Sequence, residues 1–135
     1  MRYILKQQIT SFDQVDWNQI RQKLNDDVTD LYFLSDQIIS FQYLPNSVTR
    51  LFCSYNKITS FQYLSNSVTT LICDNNQITS FQYLPNSVIT LNCDNNKISN
   101  FKYLSNSVTT LNCSYNQITS FQYLTNSVIE LYLKK

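Results

Sequence analysis

Leu71-Ile72-Cys73-Asp74-Asn75-Asn76-Gln77-Ile78 is one copy of a Leu-x-Cys-x-x-Asn-x-Ile unit that returns every twenty residues. Its Leu position recurs at Leu31, Leu51, Leu91, Leu111 and Leu131. Its Cys position reads Phe33, Cys53, Cys73, Cys93, Cys113 and Leu133, and its Asn position reads Asp36, Asn56, Asn76, Asn96 and Asn116. Self-similarity at a short fixed period is the mark of a solenoid. The six apolar side chains of one repeat do not offset the cost of ordering its backbone, so the repeats must stack.

The alternation of Leu71 and Cys73 predicts a short strand with both side chains inward. The following stretch, Phe81-Gln82-Tyr83-Leu84-Pro85-Asn86-Ser87, has no room for a helix, and Pro45 and Pro85 oppose one. An extended, polyproline-like or single 3₁₀ return is expected. Stacking in register turns the sequence into columns about 4.8 Å apart. Phe41, Phe61, Phe81, Phe101 and Phe121 then form a buried aromatic spine. The Asn column has both donors and acceptors to satisfy the bend. Four cysteines in a line do not surround a tetrahedral zinc, and they read as core packing. Tyr43, Tyr63, Tyr83, Tyr103 and Tyr123 are expected to pack along the return with their hydroxyls in water.

Residues 1–29 read as a variant repeat in which Ile4, Gln7, Ile9 and Phe12 occupy the Cys, Asn, Ile and Phe positions. The stretch from Phe12 to Val28 is nine residues longer than its counterpart Phe41–Val48. Trp17, Ile20 and Leu24 share a helical face within it, with Ser11 and Gln14 as a capping box. This predicts a helix over about 13–25 covering one end of the stack, followed by an array of about five repeats over 30–135. The final segment, Leu131-Tyr132-Leu133-Lys134-Lys135, carries no capping helix. Its open edge invites pairing with a second copy, and its lysines blunt that tendency.

Composition narrows the function. A net charge of +1 with 14% charged residues supplies no field for nucleic acid or anionic membrane. There is no glycine for a phosphate-cradling loop and no histidine for general base or metal work. No nucleophile–base pair or cofactor motif is visible, so neither catalysis nor a cofactor is expected. No apolar run reaches a membrane span or a signal peptide, and the cysteine spacing suits a reducing cytoplasm.

The outward strand positions form the candidate site. One column is Asp30, Arg50, Thr70, Thr90, Thr110, Glu130, and the next Tyr32, Phe52, Ile72, Asn92, Asn112, Tyr132. A third is Leu34, Ser54, Asp74, Asp94, Ser114, and a fourth Ser35, Tyr55, Asn75, Asn95, Tyr115. These positions vary most between otherwise near-identical repeats, whereas Phe-Gln-Tyr-Leu-x-Asn-Ser is nearly copied. Copied residues suit a scaffold and varied ones a tailored surface. Partner contacts are expected at Tyr32, Arg50, Phe52, Tyr55, Ile72, Asp74, Asn75, Asn92, Asp94, Asn95, Asn112, Tyr115 and Tyr132, since aromatics recur at interface hot spots. Asp30 and Arg50 should pair across strands. Asp74 and Asp94 are neighbouring carboxylates, read as an acidic patch for a basic partner rather than as a cation site or an acid/base pair.

The unit Val68-x-x-Leu71-x-Cys73-x-x-Asn76-x-Ile78 resembles the leucine-rich repeat consensus over residues 28–133, with Cys for the second strand Leu. Its length is similar to the short repeats of bacterial effectors. Leu44-Pro45-Asn46-Ser47-Val48-Thr49-x-Leu51 resembles the FNIP repeats of social amoebae and of giant viruses that infect amoebae. The chain departs from those at the strand end, where Cys-Asp-Asn-Asn-Gln-Ile stands in place of a Phe-Gly type sequence. The resemblance implies a right-handed leucine-rich repeat horseshoe with a parallel β-sheet on the concave face, a non-helical convex side and a short N-terminal capping helix. It further implies a non-enzymatic protein–protein interaction scaffold acting in the cytoplasm, on a host protein if viral. In some relatives such repeats form the substrate-reading half of a ubiquitin ligase, and the 29 residues before this array are too short for an F-box-like domain. The alternative is a structural protein that forms a homodimer through its C-terminal edge.

Overall fold

The computed structural model describes residues 1–34 and 36–135. Among these, seven parallel strands form one sheet in chain order: β1 (Arg2–Leu5), β2 (Asp30–Phe33), β3 (Arg50–Phe52), β4 (Thr70–Ile72), β5 (Thr90–Asn92), β6 (Thr110–Asn112) and β7 (Glu130–Tyr132). From β2 onward each strand pairs with the next at a shift of twenty residues, as in Leu51 opposite Leu71 and Leu71 opposite Leu91. The result is a repeat solenoid built on one parallel β-sheet, a coarser class than the horseshoe implied by the resemblance. No helix of the described residues is long and apolar enough to cross a membrane.

The core is a set of columns, as the period demands. Leu51, Leu71 and Leu111, Cys53 to Cys113, and Val48 to Val108 are fully enclosed. Phe41, Phe61, Phe81 and Phe101 are equally enclosed, and ring centroids along Phe61–Phe81–Phe101 lie 6.5 and 6.2 Å apart with nearly parallel planes. Phe121 departs from the expected buried spine: it stacks on Phe101 at 6.3 Å on one side and is 63% exposed.

Polar ladders tie coil to coil. The Asn76 amide donates to the Cys73 carbonyl of its own coil (3.0 Å) and to the Cys53 carbonyl of the preceding one (3.1 Å), while its Oδ1 accepts the Ile58 N–H (3.0 Å). Asn96 and Asn116 repeat this pattern. An amide alone supplies both halves of this pattern. Ser67, Ser87 and Ser107 donate to the valine carbonyl of the coil before, at 2.6–2.7 Å.

The return side is two successive turns rather than one 3₁₀ turn. Leu84 N–H bonds to the Phe81 carbonyl (3.1 Å) and Val88 N–H to the Pro85 carbonyl (3.3 Å). In the first turn the third residue is always tyrosine, and Tyr43, Tyr63, Tyr83, Tyr103 and Tyr123 hold φ between 66° and 68°. Positive φ at that place is the type II signature, normally met by glycine or asparagine, and this chain has no glycine. The tyrosines' position at the turn tip leaves them 57–59% exposed.

The N-terminal segment corrects two expectations. Register places Leu5, not Ile4, in the cysteine column opposite Phe33, and Ile4 faces outward opposite Tyr32. The cause is a bend one residue shorter: Leu5 to Ile9 spans four steps where Cys53 to Ile58 spans five. The helix expected over 13–25 is divided. A 3₁₀ turn covers Phe12–Gln14 and α1 covers Trp17–Leu24. Val15 breaks the run by adopting an extended conformation and turning into the core. Asp16 then caps α1 by accepting from Gln19 N–H (2.9 Å). Trp17, Ile20 and Leu24 rest half-buried against the core, as their spacing predicts.

Candidate binding face

The strands are three or four residues long, so only two of the four predicted columns lie on the sheet. The first row is Arg2–Asp30–Arg50–Thr70–Thr90–Thr110–Glu130, and the second is Ile4–Tyr32–Phe52–Ile72–Asn92–Asn112–Tyr132. Both rows face outward because the intervening residue of each strand, such as Leu51 or Leu91, is buried in the core. Arg2 and Ile4 belong to this face although the sequence reading omitted them. The alternation Tyr3-x-Leu5, aligned with Leu-x-Cys, carries that signal.

Asp74 and Asp94 sit just past the strands, half-buried. Tyr55, Asn75, Asn95 and Tyr115 occupy the bend that follows and form a rim rather than part of the face. Each is left-handed, with φ of 59°, 56°, 50° and 51°. Tyr55 and Tyr115 are thereby splayed into solvent, 67% and 52% exposed. Leu34, Ser54 and Tyr55, with Gln8 and Asp36, line an open depression of about 330 Å³ beside the rim. Ser35, assigned to the same column, lies outside the described residues.

The β1–β3 corner is the most organised part of the face. Tyr32 and Phe52 stack with centroids 4.1 Å apart and planes 2° from parallel. Arg2 Cζ lies 5.1 Å from the Tyr32 centroid and Arg50 Cζ 5.7 Å from that of Phe52. Arg50 also pairs with Asp30, Nη1 to Oδ2 at 3.4 Å, as the sequence predicts. Toward the middle of the sheet the groups become polar. Asp74 accepts from the Ser54 hydroxyl and from Asn75 Nδ2 (2.8 Å). Asn95 Nδ2 donates to Asn75 Oδ1. Asn92 and Asn112 accept the backbone N–H of Asp94 and Ser114 through their side-chain oxygens, both at 3.1 Å. Asp94 Oδ1 is buried with no hydrogen-bond partner among the described residues.

The four thiols are free and buried behind this face. Burial pushes all of them up, Cys113 to about 12, and the nearby charges of Asp74 or Asp94 push in the same direction. A thiol held protonated in a closed core is a packing group, not a nucleophile. Among the described residues no three His, Cys, Asp or Glu side chains converge as metal ligands. Comparison with protein-family models, with curated proteins and with solved structures finds no match.

Proposed function

We propose that the chain is a non-enzymatic recognition scaffold that holds a protein or peptide segment on the outward face of its sheet. One observation carries this reading. Along a constant strand register the second row changes from Tyr32, Phe52 and Ile72 to Asn92 and Asn112, while the columns behind it repeat. The repeated residues are enclosed in coil-to-coil packing and hydrogen bonds; the varied ones contact one another across coils but keep part of their surface open to solvent.

Within the solenoid class we favour the leucine-rich repeat arc, FNIP-like in its return turns. The single sheet, the inward Leu and Cys and the asparagine bend support it. So does spacing: the phenylalanine rings repeat at 6.2–6.5 Å, wider than the about 4.8 Å between paired strands. Coils that spread away from the sheet support a curved stack with the sheet on its concave side. The free thiols suit a cytoplasmic setting.

The test is capture of partners from a cytosolic extract by the folded chain and by two variants. Phe52→Lys with Ile72→Lys and Asn112→Lys should remove capture, and Tyr63→Ser with Tyr83→Ser on the outer turns should leave it unchanged. The reverse pattern would move the binding surface to the turns. A second reading, self-association through the β7 coil, is favoured by Phe121 and Ile129, 63% and 83% exposed. Sedimentation over a concentration series separates the two, and a strict monomer removes the second.

A further inference from the structure

We infer that the β1–β4 part of the face receives a segment carrying a carboxylate next to an aromatic or large aliphatic side chain. This rests on the face being the binding surface and adds the chemistry of the partner. Ile4, Tyr32, Phe52 and Ile72 form an unbroken apolar row across four strands. Ile4 is 48% exposed and the other three are half-buried. The row is about 14 Å long, room for about four residues of an extended chain.

Charge flanks this row on one side. Arg2 and Arg50 lie over the Tyr32 and Phe52 rings, and the rings are stacked on one another. A guanidinium held on a ring keeps its N–H edges available and loses little freedom when an acceptor arrives. Asp30 balances one of the two charges, through Arg50. The corner thus retains one positive charge beside an apolar row, a match for a carboxylate flanking an apolar side chain. The remainder of the face disfavours a polyanion, because Asp74 and Asp94 sit just past β4 and β5 and Glu130 lies on β7. One or two carboxylates at this corner fit, and a nucleic-acid backbone does not.

The test is selection of a phage-displayed random heptapeptide library on the intact chain. Enriched peptides should carry Asp or Glu within two residues of Phe, Tyr, Leu or Ile. Arg2→Gln, which leaves the Asp30–Arg50 pair in place, and Arg50→Gln should each weaken a selected peptide by about tenfold or more. Thr110→Gln should not weaken it. Thermal melting of each variant confirms that it is folded. If selected peptides lack acidic residues and ignore both arginine variants but are lost with Ile72→Lys, the carboxylate assignment fails and the binding face stands. If no selected peptide responds to Ile72→Lys, both fail. A decathymidylate that binds more tightly than the selected peptide also overturns the inference.

Discussion

The β1–β4 end of the face and the β5–β6 end share one backbone and differ in most outward side chains. The first is aromatic and cationic, with Tyr32 stacked on Phe52 beneath two arginines. The second is built from Thr90, Thr110, Asn92 and Asn112. From β3 to β6 the register is constant, because strand pairing is backbone-to-backbone and the inward Leu, Cys and Asn columns are the same behind these strands. A residue type therefore matters by its column and not by itself. Asn92 and Asn96, four residues apart, show the point: one decorates the face, the other closes a bend.

Exchanging each for alanine tests that contrast with the largest expected effect. Asn96→Ala leaves the Ile78 N–H without its partner in the core and takes one of two amide donors from each of the Cys73 and Cys93 carbonyls, which keep Asn76 and Asn116. It should cost about 2–4 kcal/mol in chemical denaturation. Asn92→Ala loses one bond, to Asp94 N–H, and should cost about 1 kcal/mol or less. Equal losses would break the distinction between column and face.

The thiols test the core behind both ends through pH. Their ordinary value is 9.0 and burial raises it in the folded chain. The unfolded state therefore releases protons first. Stability is fully present below pH 9 and is lost as pH rises beyond it, by up to about 1.4 kcal/mol per pH unit for each thiol. Urea titrations at pH 8 and pH 10 read this loss, and Cys73→Ala with Cys93→Ala should reduce it. A pH-independent midpoint would show thiols open to water.

A further, stabilising effect is expected just past β5. Asp94 Oδ1 is buried and unpaired among the described residues, whereas the same column holds Ser54 and Ser114 in other coils. Asp94→Ser should raise stability by about 1–2 kcal/mol in a thermal melt. A lowered melting temperature would mean that the carboxylate contributes to the fold.

Much of this architecture was legible because the period is unbroken from Leu31 to Leu131. Strand direction, the inward Leu and Cys columns, the asparagine bend and the Asp30–Arg50 pair follow from counting by twenty. What escaped lies where local geometry overrides the count. One residue missing before Ile9 shifts the inward position from Ile4 to Leu5. Val15 faces the core and splits the helix. Three-residue strands leave Tyr55 and Tyr115 on a left-handed bend, and tyrosine at positive φ has no composition signal, since glycine and asparagine are the residues that announce it. On the candidate face the varied residues were legible, but the Arg2–Tyr32–Phe52–Arg50 stack was not, because Arg2 belonged to a misaligned strand.

The asparagine ladder also has a direction. Asn76 completes the bend of the coil before it by accepting the Ile58 N–H, and Asn96 does the same for Ile78. A coil is whole only when its successor is seated. In a linear array governed by nearest-neighbour coupling, fraying then spreads backward along the chain. The exchange rate of the Ile58 amide hydrogen reports the opening of the coil that carries Asn76, not only of the one to which Ile58 belongs.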